Sequence, residues 1–553
     1  MSNARGEFDV VPTESKTTGT VGNFSHGSRE TPVTSVSNGE ADRSEKARGH
    51  NSDMDVIGES YSSIVPKKPA NKGRVPRPAE LVEGRGLTKE NTKQTLLDRT
   101  QSREKDGKPF EARSRGLQGV REAARRDRRQ KFTNLLHHVT AELLRASFFE
   151  LKKQAAPGID GETWQDYAVD YERRIKDLHD RIHCGRYRAK PSKRSYIPKS
   201  DGTMRPLGIA ALEDKVVQQA ARTVLESIYE QDFVGFSYGY RPRRSSHQAL
   251  DALFVGISRR KVNWIVDADI RGFFDNISHE WLMKFMEHRI ADRRMLRLMK
   301  KWLRAGVSED GEWSSTKVGT PQGAVISPLC ANVFLHYVLD LWINDWRKRQ
   351  AQGEVIIVRY ADDFVIGFRE ESDARRCLAA LGERMAKFGL ALHPEKTRLI
   401  EFGRYAKERR AERGDGPPET FDFLGFTHIS SKTLGGEFTI QRRTSRKKFQ
   451  AKLAEIKATL LRRRHDDLVR VGEWLHSVYR GWCQYYAVPG NSACLQQFRS
   501  AIQVMWLRNL QRRSQRGRRL TWVKFSKLSK RWLPTPKILH PYPSVRFACH
   551  HPR

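Results

Sequence analysis

Tyr360-Ala361-Asp362-Asp363 lies between two short apolar runs, Val355–Val358 and Phe364–Phe368, and no other stretch constrains the fold of this chain as tightly. β-Branched and aromatic residues on both sides of a polar tetrapeptide predict a β-hairpin with two acids at its turn. Adjacent ionised carboxylates repel unless a cation compensates them. Hard divalent ions such as Mg²⁺ take oxygen ligands of this kind. Two solvated acids on an exposed turn would satisfy the same four residues. The apolar flanks argue instead for a hairpin rooted in a core, with only its tip free.

A second acid-rich strand end lies upstream, in Trp264-Ile265-Val266-Asp267-Ala268-Asp269. Alternation puts Asp267 and Asp269 on one face if the strand stays extended that far. Asp269 with Asp362 and Asp363 supplies the carboxylates for two Mg²⁺ ions about 3.5–4 Å apart, which activate an attacking hydroxyl and stabilise the leaving oxygen. That is the chemistry of nucleotidyl transfer, in which positioning and charge neutralisation do most of the catalysis. Spacing along the chain leaves open whether the two strands are neighbours. Asp267 itself reads as a supporting or surface acid.

Charge narrows the partners. The 553 residues carry 101 Lys and Arg against 65 Asp and Glu, a formal net charge of +36. A field of that sign captures polyanions, with nucleic acid first and an anionic membrane surface second. No run of about 18 apolar residues is present to span a bilayer. The opening MSNARGEFDVVPTESK has neither a basic n-region nor an apolar h-region, so no secretory signal is expected. The six cysteines form no C-x-x-C pair, which argues against a disulfide framework or zinc ribbon and fits a reducing cytosol.

The length implies roughly two to four domains. Residues 1–117, rich in Ser, Thr, Gly and charge and poor in aromatics, are expected to be a disordered extension. Residues 118–185 have helical spacing, broken at Pro157, Gly158 and Gly161. Residues 186–430 alternate short strands and helices, including a hairpin around Lys199–Thr203 and a long aromatic-striped helix from Ile326 to Arg349. This α+β order suggests an antiparallel sheet with helices on one face. Residues 431–513 are helical and basic, and 514–553 form a basic tail, a further candidate for DNA binding. Basic clusters interleaved with Trp and Tyr recur through this last third. They suit an RNA surface of phosphate contacts and stacked rings, here Arg442, Arg443, Lys447, Lys448 and Arg480 with Trp482 and Tyr485.

An ordered series of segments then identifies a resemblance: APGIDG, KPSKRSYIPKSDGTMRPLGIAALEDKVVQQA, FSYGYRPRRSSHQAL, DADIRGFFDNISHEWL, VGTPQGAVISPLCANVFL, YADDFVIGF, GLALHPEKTRLIEF and FDFLGF. In this order, over roughly residues 118–553, the chain resembles a group II intron-encoded reverse transcriptase and maturase. Gly481–Tyr486 resembles the maturase region of that family. The resemblance implies a right-hand polymerase, with fingers and an antiparallel palm at 186–430, a helical extension of the fingers at 118–185 and a helical thumb or maturase domain at 431–513. It makes Asp269, Asp362 and Asp363 the catalytic ligands of two Mg²⁺ ions. Phe274 takes the place of a steric gate against a ribose 2′-OH, the alternative being a core ring. Gln322 would pack on the incoming nucleotide, Lys199 and Arg205 would hold its triphosphate, and Lys396 would lie close to it.

The implied partners are group II intron RNA, an RNA template with a DNA primer or target, and dNTPs, in a bacterial cytosol near the nucleoid. The implied activity is RNA-directed DNA synthesis that also assists splicing and supports retrohoming by target-primed cDNA synthesis. No Cys/His set of an HNH endonuclease follows residue 510, so no second-strand cleavage is expected. Two other readings use the same motifs: a splicing cofactor that only binds RNA, and a reverse transcriptase domesticated for phage defence or DNA repair.

Overall fold

The computed structural model describes residues 109–198, 204–309, 311–315, 318–320 and 323–550. The expected disordered extension lies outside these residues up to position 108. From Pro109 the chain is helical, to Arg126, so the helical part begins earlier than the boundary at 117. Helices Ala141–Glu150 and Tyr171–His183 follow. Asp292 ties this region to the rest of the fold. One of its carboxylate oxygens accepts from Leu135 N and Leu136 N, at 2.7 and 2.8 Å, and the other caps helix Arg293–Arg304.

Eleven strands among the described residues make three sheets. β1 (Ser192–Pro198) and β2 (Met204–Ile209) form the expected hairpin, with Pro198 opposite Met204. Pro206 is tolerated because β2 is an edge strand. β3 is Trp264–Ala268, and β4 (Val307–Glu309) and β5 (Glu312–Ser314) complete a sheet of order β2-β1-β4-β5. β6 (Val355–Tyr360), β7 (Asp363–Phe368) and β8 (Arg398–Glu401) join β3 in an all-antiparallel sheet of order β6-β7-β3-β8. β9 (Phe421–Phe423), β10 (Phe426–Lys432) and β11 (Phe438–Thr444) form the third sheet.

The expectation of helices on one face of the central sheet needs correction. Val266, Ala268, Ile357, Phe364, Ile366 and Phe368 face a core shared with helices Leu212–Asp232, Ser327–Leu335 and Glu371–Lys387. Ile265, Ile356, Val358, Val365 and Ile400 face a second core shared with helix Ser246–Arg259 and the C-terminal helices. Two covered faces explain why β6 and β7 read as nearly continuous apolar runs rather than alternating ones.

That second core crosses the expected boundary at 430, which falls inside β10. Leu475, Trp482, Phe498 and Trp506 belong to the same cluster as the palm residues Ile265 and Val365. The expected basic tail is also folded onto the body. Phe525, Trp532, Leu533 and Phe547 are buried, and helix Pro543–His550 packs on helix Ser246–Arg259. The long aromatic helix is present, but a π turn at His336–Asp340 interrupts it between Ser327–Leu335 and Leu341–Arg349.

Candidate active site

The acid hairpin forms as its sequence suggests. Tyr360 pairs with Asp363 across a two-residue turn, whose first residue, Ala361, has φ +60°. A non-glycine residue in that region costs about 1–2 kcal/mol and persists only where its surroundings impose it. Two features impose it here. The carbonyl of Ala361 accepts from Arg359 Nη1 at 2.9 Å. Gly239 lies flat against the turn, so close that a Cβ there would stand 2.1 Å from Ala361 N. Segment Phe236–Gly239 runs beside β6, with Arg359 N donating to Phe236 O and Tyr238 N to Arg359 O, at 2.9 and 2.8 Å.

Register brings the second acid cluster to the first. β3 and β7 are hydrogen-bonded neighbours and their last pair is Ala268 with Phe364, so Asp269, one residue on, lies opposite Asp363. The chain stays extended there, since Asp269 O accepts from His393 N at 2.7 Å and Ile270 bridges to Leu392. Asp267 and Asp363 share a face with Val365, on the side of the C-terminal helices.

The electrostatics record this crowding. Burial pushes the Asp362 carboxyl above its ordinary value and Asp269 adds to the rise, while Arg205 and Arg359 oppose it. Asp363 reaches solvent at one side, yet desolvation and the charges of Asp362, Asp269 and Asp267 push it up to about 7, against the pull of Lys448. Asp267 is also raised, to about 6, chiefly by burial. Arg398 Nη2, 3.6 Å away, opposes that shift. Negative charge short of compensation, carried on oxygen donors, fits a hard divalent cation. As placed, no group of three or more His, Cys, Asp or Glu side chains among the described residues converges to metal-ligand distances. Lys396 Nζ lies 2.8 Å from Asp269 Oδ2.

Around the acids, Phe274 is half-buried on a short turn, Phe273–Asp275, that follows Gly272 at φ +54°. Its ring meets Tyr240 edge-on, with centroids 6.5 Å apart. Tyr240 is itself at φ +60° and lies near Asp362 and Asp363, whose charges add to burial in raising its hydroxyl pKa. Arg205 is exposed on β2, close enough to lower the pKa of both Tyr240 and Asp362. Lys199 and Gln322 lie outside the described residues. On either side of positions 321–322, Thr320 N donates to Phe274 O at 2.8 Å and Val325 N donates to Gln218 Oε1 at 3.0 Å.

The expected RNA-binding set divides by side-chain direction. Arg443, Lys447, Lys448 and Arg480 are exposed. Arg442 is not: it is 1% exposed, paired with Asp251 at 3.2 Å beside Arg546. Trp482 is buried and stacks on Phe498 at 4.2 Å, and the Tyr485 hydroxyl donates to Leu424 O at 2.7 Å. Arg442 and Trp482 are corrected to core residues, and Tyr485 to a half-buried residue whose hydroxyl is engaged by backbone; alternation on β11 and the inner stripe of helix Leu468–Tyr486 turn the first two inward. An open groove of about 720 Å³ lies between Arg398 on β8, Asp422 and Thr427 on β9 and β10, and Arg446, Lys447 and Gln450 on helix Arg446–Arg462. Sequence reasoning missed Gly239, Tyr240, Asp340 and Arg359. The signals available were a Gly-Tyr pair in FSYGYRP and an arginine inside an apolar strand.

An antiparallel sheet of order β6-β7-β3-β8, with Asp269, Asp362 and Asp363 at adjoining strand ends, has the form of a polymerase palm. Residues 197–428 match the family of reverse transcriptases, or RNA-dependent DNA polymerases. The chain is 30% identical over 349 residues to protein YkfC of Escherichia coli, covering 57% of this chain and 87% of that one. It is 39% identical over 203 residues to the group II intron-encoded protein LtrA of Lactococcus lactis, covering 35% of this chain and 33% of LtrA. Over 112 residues it is 29% identical to the nuclear intron maturase 2 of Arabidopsis thaliana, covering 19% of this chain and 15% of that one. The chain belongs to the reverse transcriptase family, and over part of their length it is similar to group II intron-encoded and maturase proteins.

Proposed function

We propose that this chain extends a DNA primer on an RNA template with dNTPs, and that it binds a group II intron RNA to assist splicing and retrohoming by target-primed cDNA synthesis. The observation that carries the polymerase reading is the β3–β7 register, which sets Asp269 opposite Asp363 beside the Asp362 turn. Asp269, Asp362 and Asp363 would hold two Mg²⁺ ions, which when bound lower the cost of ionising a primer hydroxyl and neutralise the leaving pyrophosphate.

The protein's own side chains orient the reactants. Arg205 offers a forked guanidinium to the triphosphate, and Lys199 and Lys396 offer point charges. Phe274 crowds the sugar and disfavours a 2′-OH. Exposed Arg443, Lys447, Lys448 and Arg480 are free to contact phosphate backbones. Among the described residues no helix is long and apolar enough to cross a membrane. A cytosolic site of action near the nucleoid follows from the proposed partners.

Primer extension on an RNA template with dNTPs and Mg²⁺ tests the reading. The expected result is loss of activity by on the order of a hundredfold or more in Asp362→Ala. Equal product from wild type and Asp362→Ala would sink it. Splicing assistance predicts salt-sensitive binding to one intron RNA, and equal affinity for unrelated RNAs would leave only a generic basic surface.

A further inference from the structure

Beneath the acid turn lies a buried ion pair to which the proposed chemistry assigns no part. Arg359 and Asp340 are both fully buried. Arg359 Nε and Nη2 donate to the two carboxylate oxygens at 2.6 and 2.5 Å, a bidentate fork. Burying two charges is costly, and an apolar pair of similar volume is often as stable, so an ion pair at this depth is poorly explained by stability alone.

The remaining donors of Arg359 show what else the pair holds. Nη1 reaches Ala361 O at 2.9 Å, inside the acid turn, and Asn332 Oδ1 at 3.0 Å. Nη2 also reaches Ser237 Oγ at 2.7 Å. Asn332 Nδ2 in turn donates to Gly239 O at 2.8 Å. Ser237 and Gly239 belong to the segment that carries Tyr240 to the edge of Phe274. One guanidinium thus grips the turn bearing Asp362 and, directly and through Asn332, the strand bearing Tyr240. Asp340 reaches it from the π turn that breaks the long helix, a feature often found at functional sites.

We propose that Arg359 and Asp340 are a positioning pair that fixes the metal-binding turn relative to the Tyr240–Phe274 wall of the sugar pocket, so that cation affinity and sugar selection depend on one buried contact. The proposal rests on the polymerase reading. Neither residue touches substrate; both act through Ala361, Ser237 and Asn332.

The test compares wild type, Asp362→Ala, the apolar double variant Arg359→Met/Asp340→Leu, and the milder Asn332→Ala and Ser237→Ala. The first readout involves no turnover: the Mg²⁺ concentration that half-saturates dNTP binding to protein on a dideoxy-terminated primer–template. The second is the preference for dNTP over rNTP in extension. The double variant is expected to unfold cooperatively like wild type, to need on the order of tenfold more Mg²⁺ and to lose a comparable factor of sugar preference. The milder variants should shift both quantities in the same direction by less, and they decide the matter if the double variant does not fold.

Wild-type values of both quantities in the folded variants would overturn the proposal, provided Asp362→Ala has lost Mg²⁺-dependent binding. A Mg²⁺ shift with unchanged sugar preference would overturn the coupling. Wild-type behaviour of Asp362→Ala would instead remove the polymerase reading itself.

Discussion

Lys396 Nζ lies 2.8 Å from Asp269 Oδ2, so one of the three palm carboxylates is paired with a side-chain cation. The lysine is well exposed and the acid partly so, a setting in which a pair contributes at most about 1 kcal/mol. Removing it frees Asp269 for a divalent ion at little cost in stability. Lys396→Ala should therefore bind Mg²⁺ up to about fivefold more tightly in the absence of nucleotide. The same variant should bind dNTP more weakly if Lys396 also contacts the triphosphate. Calorimetric titration with Mg²⁺ alone, then with Mg²⁺ and dNTP, separates the two effects.

Asp363, pushed up to about 7 from an ordinary 3.8, holds its proton in the folded protein where the unfolded chain has lost it. The sign follows from proton counts: between about pH 4 and pH 7 the folded state binds more protons, so this group's contribution to stability falls as pH rises through that window. A divalent cation needs the ionised form. Mg²⁺ affinity should climb with pH, by at most about tenfold per unit below about pH 7 for one displaced proton. Asp363→Asn should flatten that climb, and Mg²⁺ titrations at two pH values would reveal it.

Gly239→Ala places a Cβ 2.1 Å from Ala361 N and 2.8 Å from Tyr360 C, both backbone atoms that cannot swing aside. The expected cost is about 1–3 kcal/mol or more, with displacement of the acid turn. Thermal unfolding should show the loss. A wild-type midpoint with wild-type activity would mean that the turn tolerates this shift.

Arg442 and Arg443 are neighbours with opposite expected phenotypes. Arg442→Ala removes a buried partner of Asp251, and because Arg546 still pairs with that acid the loss should be near the low end for buried pairs, about 3 kcal/mol. Arg443→Ala should leave stability unchanged and reduce the salt slope of RNA binding by about 1. Denaturant melts and filter binding at several salt concentrations would test both halves.

Phe274→Val opens the sugar pocket on the side facing Tyr240. Ribonucleotide incorporation should rise about tenfold or more relative to dNTP use. Competition assays on an RNA template would measure it, and an unchanged ratio would return Phe274 to a packing role.

Most elements of the fold were legible in the primary structure. The hairpin at 355–368, the strand at Trp264 and the long helix from Ser327 follow from local pattern, because period, turn residues and apolar runs are properties of adjacent residues. Three aromatic or basic residues of the proposed RNA surface were misread for the same reason. Composition cannot say which way Arg442, Trp482 and Tyr485 point, since that depends on what packs across β11 and helix Leu468–Tyr486.

By itself the sequence determined which carboxylates flank its two strand ends, the sign of its field and the family to which its motifs are similar. It could not determine that Asp269 meets Asp363, which is a matter of strand register between segments about a hundred residues apart. Nor could it reveal Arg359 beneath the turn, or Gly239 against it. A buried arginine is stable only with its counter-charge, and Asp340, Asn332, Ser237 and Ala361 come together only when a π turn, a helix and an edge segment close on the same strand. Local chemistry was written along the chain; which charges share a site was decided by the packing of both faces of one sheet.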